Sequence, residues 1–176
     1  GFLVPMRIFS ASTTVNLSNV KIKMGDFDKK QLAEEMEKPR LIGDAVEHYR
    51  KLAHGRPAIA FCVSVKHAEM TAQAFRDAGY KATAVSGKST SEEREKAIDG
   101  LATGEWDVVC NCGLYIEGLD QPCISCVILL APTKSLSRYL QSVGRGSRPA
   151  EGKKDCIVLD HAGNVLQHGM PYEERE

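Results

Sequence analysis

The sequence lacks a net charge, a long apolar run and a start that resembles a signal peptide. Its 176 residues include 23 basic and 23 acidic side chains, so the formal net charge is zero. Bulk charge therefore gives no reason to expect nucleic acid or an anionic membrane as a partner, and any basic surface must be local. No apolar stretch approaches the roughly 18 residues that a membrane helix needs. Residues 1–5 contain no charged segment ahead of an apolar one, so we expect no membrane partner and a cytoplasmic location.

Cysteine is present, but its pattern does not favour a disulfide framework. A chain of this length can bury one sizeable hydrophobic core without disulfide bonds, so its six cysteines fit a reducing compartment. Cys110 and Cys112 with Cys123 and Cys126 superficially resemble four zinc ligands. Cys110 and Cys126 fall inside apolar runs, however, where cysteine acts as a small buried side chain. We therefore predict one globular domain without a metal site.

Short apolar runs alternate with amphipathic segments from residue 57 onward. The apolar runs predict five strands, at residues 58–63, 81–85, 107–112, 124–131 and 156–160. Helices are predicted between them, with starts at Ser64, at residues 89–91 and at Thr133 or Ser135. Apolar runs separated by helices of this length indicate parallel strands that are buried on both faces. The expected fold is thus an open, mostly parallel α/β sheet with helices on both faces.

The first 38 residues are predicted to be a lead-in that packs on the domain. Residues 1–25 show no helical period and predict irregular structure, with one strand near residues 20–24. A short amphipathic helix is predicted over residues 28–38, with Asp26 or Asp28 as its cap and Pro39 as its end. The domain itself is expected to cover residues 39–169, and residues 170–176 form a tail.

Two segments combine glycine with charged side chains in loops that follow predicted strands or helices. Residues 141–148 (QSVGRGSR) place Arg145 and Arg148 among glycines at a helix end, where two planar cations can each clamp phosphate oxygens with paired hydrogen bonds. After the third strand, Gly118 allows close backbone approach, and the Asp120 carboxylate can accept hydrogen bonds from a ribose hydroxyl group or orient an arginine. Ligands of such sheets bind beyond the carboxyl ends of the strands.

These segments carry a family resemblance. Residues 61–69 (FCVSVKHAE), 117–120 (EGLD) and 141–148 resemble motifs IV, V and VI of superfamily 2 helicases, in that order. Residues 155–164, with His168 and Gly169, are similar to the segment after motif VI in RadD-like DEAD/DEAH repair helicases of bacteria and their phage relatives. The resemblance covers roughly residues 40–169. It implies the C-terminal RecA-like domain of an ATP-dependent nucleic-acid motor and favours DNA as the substrate.

The resemblance implies roles at a nucleotide for the matching residues. Arg148 would be the arginine finger that reaches the γ-phosphate of ATP, with Arg145 beside it and Gln141 orienting the pair. Gly118 and Asp120 would meet the ribose or these arginines. ATP and Mg²⁺ would be held mainly by an N-terminal RecA-like domain of the same protein, which carries the Walker motifs. This chain alone would then not hydrolyse ATP.

The resemblance also implies contacts with successive phosphates of DNA or RNA, independent of base sequence. The residues concerned lie at a helix start or just after a strand: Ser64, Lys66, His67, Gly87, Lys88, Cys112 and Gly113. Helix N-termini and backbone amides suit such contacts. Many relatives carry threonine where Cys112 stands, so this chain lacks that hydroxyl group. We expect these residues and residues 145–148 to share one rim of the sheet.

Two other functions fit parts of the sequence. Residues 82–89 (ATAVSGKS) match a relaxed Walker A pattern and residues 156–160 resemble a Walker B strand, which together would make a stand-alone P-loop ATPase. A P-loop must follow a strand, whereas residues 82–85 are themselves predicted to be one. The third alternative is a non-motor module that uses the fold only as a platform for nucleic acid.

Overall fold

The computed structural model describes residues 3–11, 17–113 and 121–172. The strands in this part of the chain are β1 (Met6–Ser10), β2 (Ile22–Lys23), β3 (Asp26–Phe27), β4 (Ala58–Cys62), β5 (Ala82–Ser86), β6 (Val108–Cys112), β7 (Cys126–Leu129) and β8 (Cys156–Asp160). Its helices are α1 (Lys29–Met36), α2 (Pro39–Leu52), α3 (Val65–Asp77), α4 (Ser91–Thr103), α5 (Leu136–Gly144) and α6 (Asn164–His168). No helix among these is long and apolar enough to cross a lipid bilayer.

Six of the strands form one sheet in the order β1-β8-β7-β4-β6-β5, and every neighbouring pair is parallel. The predicted parallel α/β sheet is confirmed, and all five predicted strands are present. The strand order changes direction at β4, because β5 and β6 lie on one side of it and β7 and β8 on the other. Sheets of this kind bind ligands beside such a reversal, at the carboxyl ends of the strands.

The core has two apolar layers because side chains alternate across the sheet. Ala58, Ala60 and Cys62 of β4 pack in one layer with residues of α2 and α3. Ile59 and Phe61 point the other way and pack with residues of α4 and α5. With helices on both faces, all of β4 is buried, which explains why its sequence is a continuous apolar run.

Side-chain caps fix the helix starts that the sequence predicts. Asp28 accepts hydrogen bonds from the amides of Lys30 and Gln31 and caps α1. Ser64 caps α3, Ser135 caps α5, and Thr90 forms a capping box at α4. Pro39, which was expected to end α1, stands at the start of α2, where its missing N–H costs nothing.

The irregular structure predicted for the first 25 residues is wrong for Met6–Ser10. These residues form β1, the edge strand of the main sheet, in which Met6 lies opposite Cys156 of β8. Further along, β2 lies within the predicted strand region and pairs with β3 as a separate antiparallel hairpin. We call residues 17–37, which contain this hairpin and α1, the strap. Its apolar side chains, Leu32 and Met36 among them, pack with Leu41 and Val63.

Candidate functional sites at the two edges of the sheet

Three of the predicted phosphate-binding segments lie side by side at the carboxyl edge of the sheet. Ser64, Gly87 and Gly113 follow β4, β5 and β6, which are neighbouring strands. The Gly87 amide donates to the Cys112 carbonyl group at 3.1 Å. A Cβ atom on Gly113 would lie 3.2 Å from the Gly87 nitrogen, and Gly113 has a φ of 146° that side chains disfavour. Glycine therefore lets the loops after β5 and β6 touch.

The start of α3 presents polar groups that are engaged with the strap. Ser64 Oγ accepts a hydrogen bond from the His67 amide at 2.9 Å and donates one to Glu37 Oε1 at 2.7 Å. Lys66 Nζ lies 3.8 Å from Glu37 Oε2, and the lysine side chain is 75% exposed. The Glu37 carboxylate thus stands at the place where the resemblance implies a nucleic-acid phosphate.

His67 requires a correction, because its side chain lies inside the protein and not at the surface. It is 0% exposed, and its Nδ1 atom accepts a hydrogen bond from the Val63 amide at 3.1 Å. Burial lowers the pKa of His67 to about 4, against a smaller opposite effect of Glu37. The imidazole is consequently neutral near pH 7 and supports the β4–α3 turn, and it offers neither the charge nor the exposure that a phosphate contact needs.

Lys88 and Cys112 differ in what they can offer to an anion. Lys88 is exposed, and its amide donates to Ser86 Oγ at 3.1 Å, which holds the turn after β5. The Lys88 ammonium group is therefore a cation on a fixed backbone. Burial raises the pKa of the half-buried Cys112 thiol, with Cys62 adding to the effect. The thiol stays uncharged near pH 7, and the carbonyl group of Cys112 is committed to Gly87.

A cavity of about 220 Å³ lies under the strap at the reversal of strand order. Its walls come from the carboxyl ends of β4, β6 and β7, from α5 and from the strap, with Asn111 of β6 among them. Asn111 is 2% exposed, and its Nδ2 atom has no hydrogen-bond partner in the described part of the chain. The cavity can therefore offer one amide donor within mostly apolar walls.

The predicted arginines lie near the opposite edge of the sheet, so the expectation of one shared rim is wrong. A Cβ atom on Gly146 would collide with Cys156 Sγ at the start of β8 and would lie 2.9 Å from Val127 Cγ2. The Val4 amide, just before β1, donates to the Ser147 carbonyl group at 2.9 Å. We call residues 144–148 the arginine turn. Because α5 starts beyond the carboxyl end of β7 and runs back along the sheet, its end comes close to the amino edge.

Within the arginine turn, Arg145 has an unusual environment. Its Nε atom is shielded from solvent and has no hydrogen-bond partner among the residues described. Arg148 is exposed, and its carbonyl group accepts a hydrogen bond from Lys153 Nζ at 2.6 Å. Lys153 also donates to the carbonyl groups of Pro122 and Ile124, which ties the turn to the segment before β7. Guanidinium groups on such a fixed backbone suit an anion such as a phosphate group.

The remaining predicted nucleotide contacts are not assembled around these arginines in the described residues. Gln141 Nε2 donates to Ser137 Oγ at 3.3 Å, one turn back along α5, so its orienting role stays a prediction. Gly118 and Asp120 lie outside the described residues. Within residues 3–11, 17–113 and 121–172, no group of three or more His, Cys, Asp or Glu side chains is placed to hold a metal ion.

The Walker A alternative conflicts with the placement of its residues. Ala82–Ser86 is strand β5 and pairs with β6 along its whole length. Only three residues, Gly87 to Ser89, remain for the turn, and Ser89 Oγ accepts a hydrogen bond from the Ser86 amide at 3.0 Å. Too little loop is left to wrap amides around a triphosphate.

Sequence reasoning gave no role at the carboxyl edge to three polar residues: Asp26, which it considered only as a helix cap, Glu37 and Asn111. Asp26 and Glu37 belong to the strap and contact residues far along the chain, at Thr133 and Ser64 respectively. Asn111 is a polar residue inside an apolar strand run, which was the one local signal of a special environment.

Comparisons with known proteins identify relatives over most of the chain. Residues 37–150 match the family described as helicase conserved C-terminal domain. A 51.5 kDa protein of a Lactococcus phage is 34% identical over 96% of this chain and 37% of its own length. The putative ATP-dependent helicase IRC3 of Saccharomyces cerevisiae is 30% identical over 92% of this chain and 24% of its own length. The chain thus spans 24% to 37% of the length of these relatives.

Solved structures share the fold at lower identity. A fragment of a putative HsdR subunit of a type I restriction enzyme from Vibrio vulnificus aligns with 98% of this chain and 35% of its own, at a TM-score of 0.72 and 19% identity. The Escherichia coli DEAD-box protein SrmB, bound to the regulator of ribonuclease activity A, aligns with 77% of this chain and 81% of its own, at 0.63 and 22%. The fold is therefore the RecA-like α/β fold of such C-terminal domains. With its match over residues 37–150, the chain belongs to the helicase conserved C-terminal domain family.

Proposed function

We propose that this chain is the second motor domain of an ATP-dependent nucleic-acid helicase or translocase. In this proposal it supplies Arg145 and Arg148 to ATP held by an N-terminal RecA-like domain, and it binds the backbone of nucleic acid at its carboxyl edge. The bound ATP with Mg²⁺ would supply a γ-phosphate group that accepts the attacking water. The chain's own contribution is to place cations where negative charge develops.

The observation that carries the proposal is the arginine turn. Gly146 packs its backbone against β7 and β8, so the positions of Arg145 and Arg148 are fixed relative to the sheet. Arg145 is half-buried, and the exposed Arg148 lies three residues further along the same turn. Accessible guanidinium groups on a fixed backbone can clamp the oxygens of a triphosphate held by a facing domain.

Backbone recognition of nucleic acid is supported by the opposite edge of the sheet. The amino end of α3 lies at the same edge as the turn that carries the exposed Lys88, whereas the amides of Gly87 and Lys88 donate within the protein. Backbone amides and a cation bind phosphate groups and do not distinguish one base from another. Binding should therefore be independent of base sequence. We favour DNA, because residues 155–164 are similar to the RadD-like repair helicases.

The decisive experiment replaces Arg148 in a protein that joins this chain to its ATP-binding domain. Arg148→Ala should lower nucleic-acid-stimulated ATP turnover by about a thousandfold, because the developing charge loses its preorganised partner. Arg40→Ala, at an exposed arginine of α2, makes the same charge change away from the arginine turn and should leave turnover intact. Retained turnover in Arg148→Ala would remove the arginine-finger role, and nucleic-acid binding without any ATPase in the joined protein would favour the binding-module alternative.

A further inference from the structure

The start of α3 carries a carboxylate that its own helix does not explain. Glu37 is the C-cap of α1, and the carboxyl end of a helix has a partial negative charge that disfavours an acidic side chain. Its carboxylate instead reaches the amino end of α3, where Ser64 Oγ donates to it at 2.7 Å and Lys66 Nζ lies 3.8 Å away. The Glu37 carboxylate is therefore stabilised by its contacts at the amino end of α3, although its charge is unfavourable at the carboxyl end of α1.

The Glu37 side chain is also held firmly. It is 18% exposed, compared with 75% for its partner Lys66. Its amide donates to the Ala33 carbonyl group at 2.9 Å, and the preceding Met36 is fully buried. A carboxylate fixed in this way loses little entropy when it pairs, unlike an ion pair between two mobile surface side chains.

The groups that hold Glu37 are the groups that a backbone phosphate would use. An amino end of a helix, a serine hydroxyl group and a lysine form a typical anion contact. Here the serine donates to Glu37 Oε1 and the lysine lies beside Glu37 Oε2, at the amino end of α3. Phosphate and carboxylate cannot occupy the same donors at once. Resting on the proposed function, this overlap has a direct consequence for affinity.

We propose that Glu37 belongs to the nucleic-acid interface as an internal competitor, a carboxylate that a backbone phosphate must displace from Ser64 and Lys66. Glu37 then weakens binding and sets how much phosphate contact α3 contributes. Nucleic acid bound at this edge exchanges one anion for another, so the serine and the lysine are paired in both states. The strap is in this sense part of the binding surface.

Glu37→Gln is the sharpest test, because glutamine keeps an acceptor for Ser64 Oγ and removes only the charge. The chain should bind a fluorescein-labelled single-stranded oligonucleotide of mixed sequence about two- to fivefold more tightly by anisotropy, the range of a single partly exposed ion pair. Glu37→Ala removes charge and acceptor together and should shift the affinity in the same direction. Thermal unfolding of each variant shows whether it is folded.

Glu35→Gln is the matched control. Glu35 lies on the same helix and pairs with Lys38 at 2.9 Å, so the control makes the same change in net charge away from α3. Tighter binding by Glu37→Gln than by Glu35→Gln supports the competitor role. Equal or weaker binding overturns it. If the unaltered chain binds in a salt-sensitive manner but Glu37→Gln does not raise the affinity, only the competitor role is contradicted. If none of these proteins shows salt-sensitive binding, the nucleic-acid interface itself is contradicted.

Discussion

Gly146 and Cys156 pack so closely that the backbone of the arginine turn touches the first residue of β8. A Cβ atom on Gly146 would collide with the Cys156 sulfur and would also lie 2.9 Å from Val127 Cγ2. Both neighbours are fully buried strand residues and cannot move aside cheaply. We expect Gly146→Ala to lower the free energy of unfolding by about 1–3 kcal/mol, the usual cost of overpacking.

The same substitution should also lower ATP turnover in the joined two-domain protein, since it pushes Arg145 and Arg148 away from the sheet. Gly144→Ala provides the control, because nothing lies within 4 Å of a Cβ atom at Gly144. Alanine favours a helix over glycine, so this variant should keep or slightly raise stability. Urea unfolding of both variants checks the prediction, and equal stabilities would contradict the packing role of Gly146.

Lys88 should contribute to nucleic-acid affinity through charge alone. It is exposed on the turn after β5, so Lys88→Ala should weaken binding to all sequences by a similar factor. The slope of log affinity against log salt concentration should fall by about one, as expected for one lost phosphate contact. Lys96→Ala, at an exposed lysine of α4, removes the same charge at another surface and should leave the slope unchanged. A sequence-dependent effect of Lys88→Ala would contradict a pure backbone contact.

Much of the fold could be predicted because its signals are local. The run at Ala58–Cys62 is apolar throughout, and Ser64 and Thr90 stand directly before their helices as caps. Such patterns need no knowledge of distant residues. Strand β1 has no comparable signal, because Met6–Ser10 lies at a sheet edge and mixes exposed with partly buried residues. Its pairing with β8 joins residues 150 positions apart, for example Met6 and Cys156.

The candidate sites could be predicted by residue type but not by position in space. The glycines and arginines of residues 141–148 were visible in the sequence, whereas the direction of α5, which carries them away from the carboxyl edge, was not. The burial of His67 likewise depends on how α3 turns against β4. Glu37 meets Ser64 only because α1 folds back over the sheet, a contact across 27 residues.

Asp26 should anchor the strap to the segment before α5. Its carboxylate accepts hydrogen bonds from Thr133 Oγ1 at 2.7 Å and from the Lys134 amide at 2.9 Å, and Arg138 lies 3.5 Å away. Burial alone would raise the pKa of Asp26, but the hydrogen bonds from Lys134 and Thr133 outweigh it and lower the pKa. We expect Asp26→Ala to destabilise the fold by about 1–3 kcal/mol, because the substitution removes a charged acceptor of two hydrogen bonds and leaves the buried Thr133 hydroxyl group without it.

Hydrogen exchange distinguishes a loosened strap from a general loss of stability. Relative to the unaltered chain, Asp26→Ala should accelerate hydrogen exchange at the amides of α1 more than at those of β4. The strap is held by few contacts, whereas the central strand is held by the whole core. Asp99→Ala is the control, because Asp99 is exposed and accepts one long hydrogen bond of 3.4 Å from Gln121. Uniformly faster exchange in both variants would contradict the anchoring role.

The contact between the buried His161 and the half-buried His48 should make the protein sensitive to mild acid. His48 Nδ1 lies 2.8 Å from His161 Nε2, so one ring donates a hydrogen bond to the other. Burial, with a smaller effect of His48, lowers the pKa of His161 to about 4, although Asp44 opposes the shift. Burial, with Lys51, also lowers the pKa of His48. A second proton on the pair would remove the shared hydrogen bond and place two cations in contact.

The sign of the effect follows from proton uptake. In the unfolded chain His161 takes up a proton near pH 6.5, whereas in the folded chain its pKa is about 4. The contribution of His161 to the free energy of unfolding is therefore present in full above about pH 6.5, and it is lost as the pH falls from there to about 4. At about pH 5 the loss of stability due to His161 amounts to roughly 2 kcal/mol.

His161→Gln keeps a hydrogen-bonding side chain beside His48 and removes the titration. Urea unfolding between about pH 7.5 and pH 5 should therefore show a smaller loss of stability in His161→Gln than in the unaltered chain. A residual loss is expected from His67, whose pKa burial also lowers to about 4. An equal loss of stability in both proteins would show that folding does not lower the pKa of His161.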